Sequence, residues 1–331
     1  MKSHTRLPFG LAANALSYTC GFVGAGQPWA HPHPLTPETL IDLAAELGLS
    51  SVEMPAHWAR LAGPAELGRR CAARGLAVVC GGGMVRAESL ADELELARGL
   101  GAKVLRCILS GILTGDRTKI GLAGWLELRA AAIAVLAELA PRAADAGIQI
   151  AVENHQDATS ADLLAICESV GSPAVGVTLD CGNALAVAEH PLDYARRLAP
   201  WLVTLHLKDY QICPSDHGVR LVHCAIGDGA VDFGAIFTLL ADRPELTRNI
   251  EMAAHGERHI RYLDDDWWSG FEPRPAAELI PFLRLLKTTP TLADWRTPFD
   301  RGAYGDLAEL EHEQLLGSVA NLARLTVGED S

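Results

Sequence analysis

Ile148-Gln149-Ile150-Ala151-Val152-Glu153 and Val175-Gly176-Val177-Thr178-Leu179-Asp180 are short apolar runs that each end in an acid. A third run, Trp201-Leu202-Val203-Thr204-Leu205-His206, ends in histidine, and a fourth, Asn249-Ile250-Glu251, ends in an acid again. Runs of this length and composition read as buried strands. Side chains alternate faces along a strand, so polar residues at the C-terminal ends of parallel strands converge on one region. Carboxylate, carboxylate, imidazole and carboxylate together suit a hard divalent cation, since oxygen donors with one nitrogen favour Mn, Mg or Co over a sulfur-preferring ion.

Upstream, Phe9-Gly10-Leu11-Ala12-Ala13, Ser51-Val52-Glu53-Met54, Ala77-Val78-Val79-Cys80 and Lys103-Val104-Leu105-Arg106-Cys107 supply further strands. Helical patterns fall between them. One starts at Thr36, is filled by Leu40, Ile41, Leu43, Ala44 and Leu47, and stops at Gly48. Others are predicted over residues 64–74, from a Ser89 cap to Leu100, over about 124–146, and over 160–170, 191–198 and 275–287, with Asp232 capping one more. Alternating strands and helices, with no Gly-x-Gly-x-x-Gly turn after the first strand, predict a closed α/β barrel, the (β/α)8 TIM barrel. The barrel is expected over residues 1–287, with a C-terminal extension over 288–331 that turns helical near 307–325. That extension would pack on the barrel base or cross to another subunit.

The composition sets the outer limits. The chain has 331 residues, 49% of them hydrophobic and 21% charged, which describes an ordinary folded protein with ample core material. A net charge of −13 argues against nucleic-acid binding, which depends on Lys and Arg neutralising phosphates. Apolar runs stop well short of a membrane span, and the first ten residues carry no secretion signal, so a cytoplasmic location is expected. The eight scattered cysteines include no Cys-x-x-Cys pair and read as buried reduced thiols.

The motifs Val152-Glu153-Asn154-His155, Leu179-Asp180-Cys181-Gly182-Asn183, His206-Leu207-Lys208-Asp209, Ile226-Gly227-Asp228-Gly229-Ala230-Val231-Asp232-Phe233 and Ile250-Glu251, in this order, resemble the xylose isomerase-like barrels. That superfamily contains the sugar phosphate isomerase/epimerase group, ketose 3-epimerases, inosose dehydratase and endonuclease IV. The resemblance covers roughly residues 7–287. It implies that Glu153, Asp180, His206 and Glu251 hold one divalent metal, often manganese, and that Glu153 and Glu251 also move protons on the substrate. Such an ion would acidify the C–H beside a carbonyl and stabilise an enediolate. Ketose 3-epimerases carry a histidine three residues after the strand-six aspartate, where this chain has Asn183. The further histidines of the endonuclease IV zinc cluster find no match.

Other candidates surround the metal set. His155 lies two residues after Glu153, hence on the same face, and Lys208 shares the face of His206. His155 would serve as a substrate ligand or base, or in a hydrogen-bonding support role; Lys208 would donate a proton or bind an anionic group, or form a rim ion pair with Asp209. Glu53 and Arg106 would contact substrate hydroxyls or, for Arg106, form an internal ion pair. The long connection over 253–274 carries His255, Arg258, His259, Arg261, Asp264, Asp265, Asp266, Trp267 and Trp268 and reads as a lid. His255 and Arg258 would suit a carboxylate or phosphate on the substrate, and Trp267 would cover the pocket, stack on a sugar ring or join the core. The expected activity is a metal-dependent sugar isomerase or epimerase acting on a small sugar or sugar acid, possible as a homo-oligomer, with no nucleic-acid or membrane partner. A lyase using the same enediolate, such as a 3-oxo sugar acid decarboxylase, a dehydratase or a C-glycoside-cleaving subunit, is the alternative. A non-catalytic sugar-binding or partner subunit is the reading from another class.

Overall fold

The computed structural model describes residues 6–253 and 255–327. Its strands in chain order are β1 (Gly10–Ala12), β2 (Ser51–Pro55), β3 (Ala77–Met84), β4 (Val104–Ile108), β5 (Gln149–Glu153), β6 (Val175–Asp180), β7 (Leu202–Leu207), β8 (Asp209–Ser215), β9 (Gly218–Cys224), β10 (Thr247–Ile250) and β11 (Arg258–Ile260). The helices are α1 (Pro37–Glu46), α2 (Ala56–Ala62), α3 (Pro64–Ala73), α4 (Ala87–Leu100), α5 (Gly121–Ala146), α6 (Ser160–Val170), α7 (Pro191–Leu198), α8 (Phe233–Leu239), α9 (Ala276–Thr288) and α10 (Leu307–Val327). Among the described residues, eight parallel strands close into a barrel in the order β1-β10-β7-β6-β5-β4-β3-β2, and β11-β9-β8 form a separate antiparallel sheet. The expected TIM barrel is therefore what the chain forms.

Local chemistry explains many of the boundaries. Thr36 and Thr159 each close a reciprocal capping box at the starts of α1 and α6, and Asp232 accepts from Ala235 N at the start of α8. Gly147 ends α5 in the left-handed conformation. One expectation is corrected: Ser89 lies inside α4, whose N-cap is Arg86. The helix expected from residue 64 forms as α3, and Gly63 separates it from the shorter α2 that precedes it.

The barrel interior is tied across as well as around. Ser51 Oγ donates to Asn249 Oδ1 at 2.7 Å, joining β2 to β10 across β1. Gly10 of β1 leaves room for that bond, since a Cβ there would lie 1.9 Å from Ser51 Oγ and 2.1 Å from Asn249 Oδ1. Val79, Val104, Ala151 and Val203 form a small buried cluster. On β4 and β5 the same alternating face then carries Arg106 and Glu153. The eight cysteines are buried and free, and burial raises their thiol pKa values, so the reduced-thiol reading holds.

Two additions cover the C-terminal end of the barrel. The first is the β8–β9 ribbon with β11 laid beside it. The second is the C-terminal segment, which the structure places at that end and not at the base. Leu292 N donates to Ile212 O at 2.8 Å. Glu311 of α10 accepts from Tyr18 N (2.7 Å), Thr19 N (2.9 Å) and Thr19 Oγ1 (2.6 Å) just beyond β1. Farther along α10, Ser318 Oγ accepts from Ile226 N, and Asn321 Nδ2 donates to Ile226 O and Asp228 Oδ1. Tyr304 stacks on Trp29 with ring centroids 4.0 Å apart, and Phe299 meets the same indole edge-on.

Candidate metal centre

Four adjacent barrel strands, β5, β6, β7 and β10, deliver Glu153, Asp180, His206 and Glu251 to one place. Each residue contributes a donor atom, and these atoms lie within 4.8 Å of one another. Parallel register produces the meeting: Asp180 pairs with His206, His206 with Asn249, and Glu251 N continues the ladder to Leu207 O at 2.9 Å. Asn154 locks two of these strand ends, donating to Asp180 O at 2.8 Å and accepting from Asp180 N at 2.7 Å. All four side chains are buried.

The hydrogen bonds around the cluster leave one inward atom of His206 and one of Glu153 free, while Lys208 holds Asp180 Oδ2 and Glu251 Oε2. His206 Nε2 donates to Glu53 Oε2 at 2.7 Å, so Nδ1 is the atom turned toward the acids, 2.9 Å from Glu251 Oε2 and 3.6 Å from Glu153 Oε1. A carboxylate on the outer nitrogen of a metal-binding histidine fixes its tautomer and ring orientation. Neither His206 Nδ1 nor Glu153 Oε1 has a hydrogen-bond partner among the described residues. Glu251 Oε1 accepts from Asn14 Nδ2 at 3.1 Å, and Asp180 Oδ1 accepts from the backbone of Gly182 and Asn183. This donor set fits a divalent ion.

Charge makes the same case. Glu53, Glu153, Asp180 and Glu251 bring four negative charges, while Lys208 and Arg106 return two positive ones. One divalent cation beside neutral His206 would cancel the remainder. Burial alone would push the His206 imidazole down, but Glu251, Glu53 and Glu153 hold it well above its ordinary range. Burial raises the Asp180 carboxyl to about 7, with Glu251 and Glu153 adding to the rise and Lys208 opposing it. Burial would raise Glu251 too, but His206 and Lys208 pull it well below the usual carboxylate range. A buried set of acids whose protons are held this unevenly is typical of a functional site.

The other candidates fall into distinct positions. Lys208 Nζ sits 2.6 Å from Asp180 Oδ2 and 3.2 Å from Glu251 Oε2, not on Asp209. Asp209 instead accepts from the backbone of Tyr210, Gly227, Gly229 and Val231, so the Gly227-Asp228-Gly229 turn wraps around that carboxylate. Arg106 is buried, with Nε and Nη2 on Glu53 Oε1 and Nε 3.4 Å from Glu153 Oε2. Glu53 therefore has one oxygen on Arg106 and the other on His206. Asn183 Oδ1 accepts from Tyr210 Oη at 3.1 Å, while its Nδ2 has no partner among the described residues, nor has His155 Nδ1.

The lid cluster divides. His255 and Arg258 touch one another, with Arg258 Nη2 3.2 Å from His255 Nε2. His259 bonds Ser215, and Arg261 pairs with Asp116, Asp264 and Asp266. Trp267 packs as core: it is fully buried, its indole N–H donates to Thr114 O, and its ring lies against Trp268 and Phe271. The indole nitrogen and both neighbours are taken up by packing, so none of these contacts reaches the acids. Sequence reasoning did not single out Asn14, Tyr210 or His223. Asn14 follows the first strand closely and Asn154 lies inside a quoted motif, which were the available signals; nothing local marked His223.

The sequence model of the family described as xylose isomerase-like TIM barrel matches residues 41–269. A 3-oxo-isoapionate decarboxylase from Pectobacterium atrosepticum is 26% identical over 242 residues, covering 71% of this chain and 79% of that protein. Among solved structures, a D-psicose 3-epimerase studied in the presence of D-fructose aligns with a TM-score of 0.58 at 17% identity, covering 94% of this chain and 97% of that one. The IOLI protein, solved with a binding zinc atom, aligns with a TM-score of 0.54 at 13% identity, covering 94% and 98%. At these identities the two structural likenesses establish the barrel and nothing finer.

Proposed function

Because this chain belongs to the xylose isomerase-like TIM barrel family, we propose that it is a divalent-metal-dependent sugar isomerase or epimerase, working on a small polyhydroxylated carbonyl compound through an enediolate. The observation that carries this reading is the set of inward atoms on Glu153, Asp180, His206 and Glu251, with His206 oriented from behind by Glu53. These four residues would hold the ion, with manganese first and magnesium or cobalt as alternatives. When bound, the ion supplies the positive charge that makes the C–H beside a carbonyl acidic and stabilises the resulting enediolate.

The chain's own residues would do the rest. Glu153 and Glu251 come from strands three steps apart around the barrel. A proton removed by one carboxylate and returned by the other would invert a centre; return to the neighbouring carbon would isomerise it. Lys208, next to Asp180 and Glu251, is placed to balance charge or to deliver a proton. His155, with an unpartnered buried nitrogen, is the further proton-handling candidate. Arg106 and Glu53 act through others in this reading, fixing Glu153 and His206 in place. Asn183 has a free amide nitrogen to offer a substrate oxygen.

A second reading is favoured by the decarboxylase relative. In a 3-oxo sugar acid the bond to the carboxyl group breaks, its electron pair enters the same enediolate, carbon dioxide leaves, and a proton from the site completes the product. Deuterium incorporation in D2O with Mn2+, followed by NMR over neutral ketoses and anionic 3-oxo sugar acids, tests both. Deuterium entering a substrate beside its carbonyl, with the carbon skeleton intact, is the expected result. Release of carbon dioxide from an acid, with deuterium in the product and none in the ketoses, would replace the isomerase reading by the decarboxylase one.

A further inference from the structure

His223, Arg258 and Tyr210 share one face of the β11-β9-β8 sheet. Tyr210 of β8 pairs with His223 of β9, and Arg258 of β11 pairs with Leu221, two residues before His223. Directly paired residues and those two positions along project to the same side, so Arg258 and His223 are diagonal neighbours on it. This side looks toward the acids: the Tyr210 hydroxyl reaches Asn183, whose own N–H binds Asp180. The His223 ring lies 4.7 Å from Tyr210 and is stacked 5.8 Å from His255.

The electrostatics of this face are unbalanced. Among the described residues no carboxylate lies within 4.0 Å of the Arg258 guanidinium; Glu257 beside it is taken by Arg220. Arg258 Nε is buried without a partner, as are both ring nitrogens of His223, a residue only 4% exposed. Buried polar groups in native proteins are almost always bonded, so three such atoms on one face call for an explanation. His255 does not offset the charge. Its Nδ1 donates to Ala253 O at 2.5 Å, leaving Nε2 to accept from Arg258, which makes His255 a neutral prop for the guanidinium. Lys208 is committed to Asp180 and Glu251.

We propose that Arg258, held in position by His255, and His223 form a binding subsite for a carboxylate group of the substrate. The inference rests on the enediolate reading only for the location of the rest of that substrate, over the four acids. Arg258 Nη1 donates to Gly256 O at 2.9 Å and Nη2 to His255 Nε2, so the donors left for a ligand are Arg258 Nε and one His223 N–H, a number that matches the two oxygens of a carboxylate. A phosphate would call for more cations or a run of backbone N–H groups, and this sheet face provides neither. The substrate class is thus a polyhydroxy acid, and neutral sugars lack the group these residues bind.

Calorimetry on the Mn2+-loaded protein with D-erythronate, erythritol and glycerol 3-phosphate tests this. Wild type is expected to bind erythronate at least about tenfold more tightly than erythritol. Arg258→Met should erase that preference while leaving erythritol unchanged, His223→Phe should reduce it, and Arg258→Lys should keep part of it. Circular dichroism checks each variant's fold; should Arg258→Met fail there, Arg258→Lys and His223→Phe carry the comparison. Equal binding of erythronate and erythritol by wild type, a preference that survives Arg258→Met, or tighter binding of glycerol 3-phosphate than of erythronate would each overturn the subsite. The two readings fail separately. If the protein binds no Mn2+ but shows an Arg258-dependent preference for erythronate, the enediolate reading falls and the subsite stands; if Mn2+ binds normally and Arg258 is irrelevant, the reverse holds.

Discussion

His206 Nε2 lies 2.7 Å from Glu53 Oε2, across the barrel interior from one strand to another 153 residues away in the chain. Glu53 thereby dictates which imidazole nitrogen faces the acids. Glu53→Gln is expected to weaken Mn2+ binding by roughly 10–100-fold, the usual cost of losing such a supporting carboxylate. A Mn2+ titration read by EPR, with circular dichroism confirming the fold, gives the answer. Unchanged affinity would mean that the bond does not orient the histidine.

Glu251 is bonded by Asn14 and Lys208 and stands 2.9 Å from His206 Nδ1. Glu251→Gln keeps the shape but removes a charge and a donor oxygen. Metal affinity and turnover should both fall severely, with the melting temperature of the metal-free protein little changed. Retained turnover in that variant would refute the proposed site.

Lys208 neutralises two buried acids, Asp180 and Glu251. Removing one partner of a buried ion pair typically costs about 3–5 kcal/mol, because a charge is left uncompensated. Lys208→Met should therefore destabilise the metal-free protein strongly, and saturating Mn2+ should recover much of the loss. Thermal melts of both proteins with and without Mn2+ would show it; equal destabilisation in the two conditions would count against a shared charge balance.

Glu311 is the carboxylate by which α10 grips the chain beyond β1. Burial raises it from 4.5 to about 7, against the pull of its bonds to Thr19 and Tyr18. The folded state therefore holds this proton more firmly than the unfolded chain does. Its contribution is fully present below about 4.5 and is lost as pH rises through about 7, a change of roughly 3 kcal/mol. Urea unfolding of wild type and Glu311→Gln from pH 4.5 to 8 should show wild type losing ground to the variant as pH rises. Parallel curves would show that Glu311 ionises normally.

The convergence of Glu153, Asp180, His206 and Glu251 was legible because each closes an apolar run, and parallel strands turn that pattern into a meeting point. Glu53 was legible only as a strand-end acid; that both its oxygens are taken by Arg106 and His206 depends on barrel closure, which no local spacing encodes. The β8–β9 ribbon lies between two quoted motifs, in a stretch for which no strand was expected, so His223 drew no attention. Trp267 looked like a lid residue from its acidic and aromatic neighbours, yet Thr114 and Phe271, distant or hidden in sequence, draw it into the core. For the C-terminal extension, an amphipathic helix announces that one side is covered without saying by what; Glu311, Ser318 and Asn321 supply the answer only through their partners.

The metal set stands on barrel strands, whereas His223 and Arg258 stand on a small sheet that shares none of its pairing with the barrel. Inheritance can act on these two pieces independently. Changes in the ribbon and the β11 segment would alter the proposed subsite without disturbing the strand ends that would hold a metal.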